Sequence, residues 1–324
     1  MNRSPHILAV RLGAMGDVIH ALPAAAALKK ALPDCRLIWL IEPKWAPLLE
    51  ANPYLDGVLH FERGSLAALW RDARALGELG CDTAVDFQGL FKSALAAAAA
   101  RPARLYGFEA AQIRERAAAI LYSYRVEAHA VHVVDRNLEL AAAVTGQALR
   151  PAEFPLPPGI PEGELPSGHF VLASPLAGWV AKQWPLEHYR TLAARLRTEC
   201  GIPLVMNLPP QAVAGDIQPA LRHHSSLPGL IYATRRATAV IGVDSGPLHL
   251  AAALAKPGVA IFGPTDPARN GPYGNSFRVL RSQSAITTYK RGAAIDPSMQ
   301  AISPDRVFDT LVATLPKTAG CAPA

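Results

Sequence analysis

The sequence predicts an α/β protein of two doubly wound domains, each a parallel sheet with helices on both faces. Strand-like and helix-like segments alternate through both halves of the 324 residues, which is typical of parallel sheets. A chain of this length is expected to form two cores of about 150 residues each. Residues 150–168 contain six prolines in nineteen positions and separate the halves. We therefore predict domains at 1–155 and 156–324 facing across a cleft, a favoured place for ligands.

The first half begins with a predicted βαβ unit. Its elements are a strand at 6–12, a glycine-containing turn, a helix at 18–32, and strands at 36–41, 57–61, 83–87 and 104–107, with further helices between the strands. The loop after the first strand is where such units present functional groups.

The second half repeats this alternation. Its predicted elements are a strand at 169–174, a long loop to Trp184, a helix from Pro185 to Cys200, and strands at 203–207, 240–243 and 259–262. The tail after Leu315 is expected to fray.

Residues 240–274, VIGVDSGPLHLAAALAKPGVAIFGPTDPARNGPYG, carry the strongest functional signal. A buried strand is followed by a tight turn at 244–246, and Pro247 suits the first position of a helix. The free amides and the positive dipole end of such a helix bind phosphate groups.

Polar side chains accompany this predicted phosphate site. Asp244, Ser245 and His249 surround the helix start, and Thr265 and Asp266 follow the next strand in a Gly-Pro-rich loop. The alternative is that Asp244 is only an N-cap and that His249 is an ordinary helix histidine. Two adjacent strand ends with polar turns favour a ligand site, because open α/β sheets bind ligands there.

The loop SPLAGWVAKQWP, residues 174–185, contributes a basic group. Lys182 is flanked by Trp179 and Trp184, and its ammonium group would neutralise a departing diphosphate without a divalent metal. The alternative is an ordinary exposed loop lysine.

Asp17 occupies the corresponding loop of the first half. The residues RLGAMGD form G-x-x-G-D rather than the dinucleotide fingerprint, so a dehydrogenase with a nicotinamide cofactor is poorly supported. A carboxylate in this position is suited to be a general base for an acceptor hydroxyl. Its alternative role is a helix N-cap.

Composition limits the class of protein. The formal net charge is +6, with 17 Lys or Arg against 16 Asp or Glu in residues 1–158 and 15 against 10 in the remainder. A basic cluster indicates an anionic partner at a membrane surface or merely a solvated helix face; its members are Lys92, Arg101, Arg104, Arg114, Arg116 and Arg125.

No segment reads as a membrane span or a secretory signal. The cysteines lack metal-ligand spacing, so free thiols in a reducing cytoplasm are predicted rather than disulfides or zinc; they are Cys35, Cys81, Cys200 and Cys321.

Four segments together resemble glycosyltransferase family 9, the ADP-heptose:lipopolysaccharide heptosyltransferases. They are RLGAMGDVIHALPA at 11–24, DFQGLFKS at 86–93, AGWVAKQWP at 177–185 and the 240–274 segment. The first is most similar to heptosyltransferase I. The resemblance implies two Rossmann-like domains in a GT-B fold and inverting, metal-independent transfer with no cofactor. It also implies heptose transfer from ADP-heptose to Kdo of lipid A, by a cytoplasmic enzyme held peripherally at the inner leaflet and without a nucleic-acid partner.

The resemblance assigns site residues by position. Asp17 matches the catalytic base and Lys182 the diphosphate-binding lysine. The matched donor-binding positions are Ser174, Lys182, Asp244, Ser245, Gly246, His249 and Thr265. The matched acceptor-binding positions are Gln88, Lys92, Arg104 and Arg125.

The chain departs from the family pattern near the nucleoside. Pro175 and Leu176 stand where hydroxyl residues are usual, and NLPPQAVAGD replaces a loop with a nucleoside-binding Glu. The residue that takes the place of this Glu is Asn207, Gln211 or Asp216. Ser225 stands at a position where family members often have a residue that packs on adenine.

Three alternatives stay open. They are a heptosyltransferase II or III that uses a heptosylated core, a sugar-nucleotide epimerase of the same fold, and a non-catalytic nucleotide-binding module.

Overall fold

The computed structural model describes residues 4–62, 74–151, 153–213, 215–288 and 292–316. The chain forms two compact units, residues 1–157 and 158–324. Each unit contains one six-stranded sheet. All strand pairs in both sheets are parallel, as the alternating sequence predicts.

Unit 1 has the sheet order β3-β2-β1-β4-β5-β6. Its strands are β1 His6–Val10, β2 Arg36–Ile41, β3 Gly57–His60, β4 Thr83–Asp86, β5 Arg104–Phe108 and β6 Tyr124–Val126. Its α-helices with defined bounds are α1 Met15–Ala31, α2 Phe91–Ala99 and α3 Val133–Thr145. Its 3₁₀ helices are Pro43–Leu49, Ala110–Gln112 and Arg116–Leu121, and residues 74–78 are also helical.

The register of unit 1 brings three loops to one edge. Val10, the last residue of β1, pairs with Leu40 of β2 and with Asp86 of β4. The loops that follow these strands therefore meet at the carboxyl edge of the sheet. The strand order reverses between β1 and β4, and such a switch point is where open α/β sheets bind ligands.

Unit 2 has the order β12-β11-β10-β7-β8-β9, which is the order of unit 1 read from the opposite edge. Its strands are β7 Val171–Ser174, β8 Leu204–Leu208, β9 Leu221–His224, β10 Ala239–Val243, β11 Gly258–Phe262 and β12 Phe277–Arg281. Its α-helices are α4 Leu186–Cys200, α5 Leu227–Arg236, α6 Gly246–Ala253, α7 Pro267–Asn270, α8 Pro297–Gln300 and α9 Pro304–Val312. A 3₁₀ helix covers Val180–Lys182.

The core of unit 2 fixes the loops of its own switch point, between β7 and β10. Strands β7, β10 and β11 are buried along their whole length. Trp184 is 1% exposed, and its Nε1 donates a 2.9 Å hydrogen bond to the Ile302 carbonyl. Because burying an aromatic side chain of this size stabilises by about 2–3 kcal/mol, Trp184 holds the end of the 175–185 loop against the core.

Several sequence predictions need correction. The edge strands β6, β9 and β12 were not predicted, because they are short, carry basic side chains and are partly exposed. Helix α1 begins at Met15, so Asp17 lies inside its first turn. Cys35 and Cys81 are free as predicted, but Cys200 is disulfide-bonded, so the prediction of a free thiol is wrong for that residue.

The predicted frayed tail from residue 317 onward, including Cys321, lies outside the described residues. Among the helices that are described, none is long and apolar enough to cross a membrane.

Candidate functional site

The site in unit 2 is centred on Asp244, the residue that follows β10. Its side chain is 8% exposed, and its Oδ2 lies 2.6 Å from the Nζ of Lys182. Its Oδ1 lies 3.6 Å from Nε2 of His249, the fourth residue of α6. The two carboxylate oxygens therefore face two basic side chains.

These neighbours decide the charge of Asp244. Burial alone would raise the pKa of its carboxyl group, but the contact with His249 and the positive charge of Lys182 outweigh burial and hold that pKa well below its usual value. Asp244 is therefore a carboxylate at any physiological pH, and it holds the Lys182 ammonium group in place.

Lys182 is positioned by the loop that precedes α4. It ends the short 3₁₀ helix, and its Nζ lies 4.3 Å from the centre of the Trp179 ring. The side chain of Lys182 is 16% exposed. Of the two tryptophans that flank Lys182 in sequence, Trp179 therefore contacts it, whereas Trp184 packs in the core against Tyr189, at 4.8 Å between ring centres.

Helix α6 starts differently from the simple capping alternative. Its N-cap residue is Ser245, with Pro247 in the first turn. Asp244 precedes the cap and uses its side chain for Lys182 and His249, so it is not an N-cap. Pro247 has no amide hydrogen, and the Leu248 amide donates to the Ser245 carbonyl at 3.1 Å. In the described part of the chain, the Gly246 amide is therefore the first-turn donor left for an anion.

Two hydroxyl groups complete the polar rim of the β10 and β11 ends. Ser245 Oγ and Thr265 Oγ1 are buried and have no hydrogen-bond partner among the described residues. Thr265 is 1% exposed and follows β11. Ser174, at the end of β7, is 7% exposed and pairs in register with Gly242 of β10. The structure thus gathers Ser174, Ser245 and Thr265 at the ends of three adjacent strands.

The residues considered for the nucleoside are not gathered in the same way. Asn207 is buried, and its Oδ1 receives hydrogen bonds from Ser225 Oγ at 2.8 Å and His223 Nδ1 at 2.7 Å. Asp216 pairs instead with Arg190 at 3.1 Å on the surface. Gln211 is exposed. Asn207 and Ser225 therefore belong to one hydrogen-bonded pair, and Asp216 lies apart from it.

The site in unit 1 is centred on Asp17 in the first turn of α1. Its Oδ2 accepts a 3.2 Å hydrogen bond from the Ala14 amide and lies 2.8 Å from NH2 of Arg11. In the described part of the chain, both of these contacts use Oδ2. The side chain is 47% exposed, and these two donors leave its Oδ1 unengaged.

The predicted acceptor residues are divided. Gln88 accepts a 2.8 Å hydrogen bond from the Leu12 amide, which ties the loops after β1 and β4 together. Lys92 lies 3.2 Å from the buried Glu42. Arg104 begins β5 beside Thr83 and so lies at the amino edge of the sheet, away from Asp17. Arg125 lies in edge strand β6, and its Nε donates a 3.0 Å hydrogen bond to the Ala119 carbonyl of the preceding 3₁₀ helix.

Sequence reasoning missed two residues of this site. Arg11, the first residue after β1, reaches Asp17 with one terminal nitrogen and the Phe87 carbonyl with the other. Glu42 follows β2 and pairs with both Lys92 and Lys44. Only their position at the carboxyl ends of strands signals a role. In the described residues, no group of three or more His, Cys, Asp or Glu side chains is arranged to hold a metal ion.

Comparisons with known proteins point to one family. A family model described as glycosyltransferase family 9 (heptosyltransferase) matches residues 69–295. A Pseudomonas aeruginosa lipopolysaccharide heptosyltransferase 1 is 31% identical over 83% of this chain and 82% of its own length.

Solved structures agree as well. The structure of E. coli heptosyltransferase WaaC with ADP is 26% identical, with a TM-score of 0.72 over 87% of this chain and 96% of that one. E. coli ADP-heptose lps heptosyltransferase II is 24% identical and shares the fold, with a TM-score of 0.77 over 95% of this chain and 98% of that one.

Proposed function

Because the chain belongs to glycosyltransferase family 9, we propose that it transfers heptose from ADP-heptose to Kdo of the lipid A inner core in lipopolysaccharide biosynthesis. The observation that carries the proposal is a pair of contrasting carboxylates. Asp244 is buried between two basic groups, whereas Asp17 is half-exposed with one oxygen engaged.

We assign the donor to unit 2. A diphosphate that approaches the start of α6 meets the Gly246 amide, the positive end of the helix dipole and the Lys182 ammonium group. The unpartnered hydroxyl groups of Ser245 and Thr265 are suited to hydrogen-bond a phosphate or sugar oxygen. Asp244 is suited to accept from the hydroxyl groups of a heptose, since it stays ionised. The WaaC structure that resembles this chain was solved with ADP, which supports a nucleoside diphosphate in the donor.

We assign the acceptor and the general base to unit 1. A base must be reachable and oriented. Asp17 is suited to this role because its side chain is 47% exposed and because Arg11 and the Ala14 amide hold Oδ2, which leaves Oδ1 for a hydroxyl proton. Asp244 is less suited, since both of its oxygens already face basic side chains. Gln88 keeps the Asp17 loop in place through the Leu12 amide. Of the other predicted acceptor residues, Lys92 is the nearest to Gln88 in sequence. Arg104 lies at the amino edge of the sheet and fits an acceptor-binding role poorly.

The proposed reaction is one displacement. The acceptor oxygen forms a bond to the anomeric carbon while its proton passes to Asp17 Oδ1, and the bond from that carbon to the diphosphate oxygen breaks. Attack on the face opposite the diphosphate inverts the anomeric centre. The charge that develops on the departing ADP is met by Lys182 and the amide end of α6, which are fixed in advance and need no rearrangement. The proposal requires no metal ion.

The acceptor also suggests a location. Kdo-lipid A is a membrane lipid, so we propose that the enzyme works in the cytoplasm and binds the inner leaflet reversibly. A second-step enzyme that uses a heptosylated core has the same chemistry, and the likeness to heptosyltransferase II keeps it as the alternative acceptor.

Product mass tests both acceptors. Purified enzyme is incubated with ADP-heptose and either Kdo-lipid A or heptosylated Kdo-lipid A, with and without EDTA. We expect one heptose to be added to the first lipid, with ADP released and no effect of EDTA. Addition only to the second lipid would move the assignment to the second step, and ADP-heptose conversion without transfer would reject a transferase.

A further inference from the structure

Helix α2 and the 3₁₀ helix Arg116–Leu121 expose large apolar side chains. Phe91 and Leu95 lie one turn apart on α2, on the same face, and are 47% and 54% exposed. Ile120 on the 3₁₀ helix is 77% exposed. The buried faces of both elements, including Ala94, Ala97, Ala118 and Ala119, share one hydrophobic core. The exposed side chains are therefore not needed to hold these helices on unit 1.

Basic residues adjoin these apolar side chains. The Glu115 carboxylate accepts a 2.7 Å hydrogen bond from the Phe91 amide, which places the neighbouring Arg114 and Arg116 beside the start of α2. Both arginines are exposed. Because the Glu115 carboxylate faces the positive end of the α2 dipole, it offsets the charge of the two arginines less than a free carboxylate would. We call the surface formed by Phe91, Leu95, Arg114, Arg116 and Ile120 the α2 surface.

The position of the α2 surface links it to the proposed acceptor site. Helix α2 begins three residues after Gln88, whose side chain accepts from Leu12 in the loop that leads to Asp17. An acceptor whose sugar reaches Asp17 has its lipid part embedded in a bilayer. A protein surface next to Asp17 therefore has to approach the headgroups.

Exposed aromatic and aliphatic side chains next to arginines fit an anionic lipid surface. Such a surface takes apolar groups into the boundary of the acyl chains and attracts basic groups to its phosphates. A second copy of the chain fits less well, because a two-fold symmetric contact would bring the arginines of both copies together.

We propose that the α2 surface is the membrane-docking surface of the protein, with Phe91, Leu95 and Ile120 inserted among the headgroups and Arg114 and Arg116 bound to anionic lipid phosphates. The proposal deepens the proposed function, on which its biological purpose depends, but docking itself is measured without turnover. Each arginine near an anionic leaflet strengthens partitioning about five-fold. Neither group alone gives more than reversible binding.

Flotation of the full-length protein with vesicles tests the docking. Vesicles contain either phosphatidylcholine alone or phosphatidylcholine with phosphatidylglycerol. We expect the wild type to float only with the anionic vesicles and to be released by high salt. Arg114→Gln/Arg116→Gln is expected to weaken partitioning by about 25-fold, and Phe91→Ser/Leu95→Ser by at least about ten-fold.

Matched variants of unit 2 serve as controls. Arg197→Gln/Arg278→Gln removes the same charge from exposed positions, and Leu221→Ser/Val279→Ser removes two apolar side chains that are 44% and 42% exposed. Both are expected to float like the wild type. Equal flotation of all variants, or no flotation of the wild type, would overturn the proposal. Loss of a dimer in Phe91→Ser/Leu95→Ser, seen by light scattering, would assign the surface to self-association instead.

Activity separates this proposal from the proposed function. On a Kdo acceptor without acyl chains, Phe91→Ser/Leu95→Ser is expected to keep the wild-type kcat, while transfer to Kdo-lipid A in anionic vesicles falls. If the wild type transfers heptose but the variant is unimpaired on vesicles, only the docking proposal fails. If the wild type floats but transfers nothing, only the proposed function fails.

Discussion

Replacement of Lys182 by methionine tests the centre of the proposed donor site. In the wild type, Nζ of Lys182 lies 2.6 Å from a carboxylate that is 8% exposed. Removing one partner of a buried ion pair costs about 3–5 kcal/mol, because the remaining charge is left uncompensated. His249 stays 3.6 Å from the other oxygen of Asp244, so we expect a smaller loss of about 2–4 kcal/mol. For a domain of this size, that lowers the Tm by roughly 4–16 °C.

ADP separates the binding role of Lys182 from its structural role. At one hundred times the wild-type Kd, ADP stabilises the wild type by about 2.7 kcal/mol. Loss of a charged hydrogen bond to the diphosphate raises the Kd by about 10–100-fold. At the same ADP concentration, the variant should therefore gain only about 0.4–1.4 kcal/mol. Thermal unfolding with and without ADP measures both effects.

Two further variants make this experiment decisive. Lys182→Met/Asp244→Asn removes the stranded charge, so it should recover most of the lost stability and still respond weakly to ADP. Lys256→Met is the matched control, since Lys256 is half-buried in the same unit and donates to the Ala237 carbonyl; its ADP response should be that of the wild type. A Lys182→Met protein with unchanged stability, or with the full ADP response, would refute the reasoning.

Four further predictions follow from the two carboxylate sites and the core. Asp17→Ala should lower kcat by about two to four orders of magnitude with nearly unchanged ADP binding, and a purified variant that keeps its activity would reject the base. Arg11→Ala should also lower kcat, by about ten-fold or more, because Asp17 loses the 2.8 Å contact that orients it; an unchanged kcat would exclude this positioning role. Tyr122→Phe should destabilise the protein to denaturant by about 1–3 kcal/mol, since Asp86 loses a 2.7 Å hydrogen bond, and a loss below 0.5 kcal/mol would contradict this. Because the folded-state pKa of Asp244 is lowered, its stabilising effect is present above the unfolded pKa near 4 and is lost as the pH falls through the lower folded pKa; unfolding titrations from pH 6 to pH 3 should show a flatter pH slope for Asp244→Asn than for the wild type.

The central strands were predictable from the sequence, whereas of the four edge strands described only β3 was predicted. The central strands β2, β7 and β11 are buried on both faces, so they are nearly continuous apolar runs in the sequence. The edge strands β6 and β9 read YRV and LRHH, and their side chains are largely exposed. Their strand character comes from pairing with a neighbour, and a single sequence does not record that pairing.

The position of the candidate site was more predictable than its contacts. The pattern of strand, turn and helix placed Asp244 at a strand end, and the structure confirms this position. Its partner Lys182 is 62 residues away in sequence, and that contact depends on how the 175–185 loop is held by Trp184. Arg11 was overlooked for a different reason. It continues an apolar strand pattern, so nothing in the sequence marks it as a partner of Asp17.

Two strand ends with the same sequence pattern show why a motif alone does not assign a role. Residues 85–90 and 243–248 both read V-D-x-x-x-L and both follow a central strand at a switch point. Asp86 is fully buried, and burial raises the pKa of its carboxyl group. Its hydrogen-bond donors lower that pKa but do not outweigh burial, and all of them are uncharged: Tyr122, Ser93 and the Gln88 and Gly89 amides. Asp244 differs because two basic side chains reach it, and its pKa is lowered instead. A carboxylate satisfied by neutral donors stabilises its own loop, whereas one held ionised beside a lysine creates a polarised site where a charged ligand can bind. The difference between a structural aspartate and the proposed donor site therefore depends on Lys182 and His249 rather than on the shared aspartate.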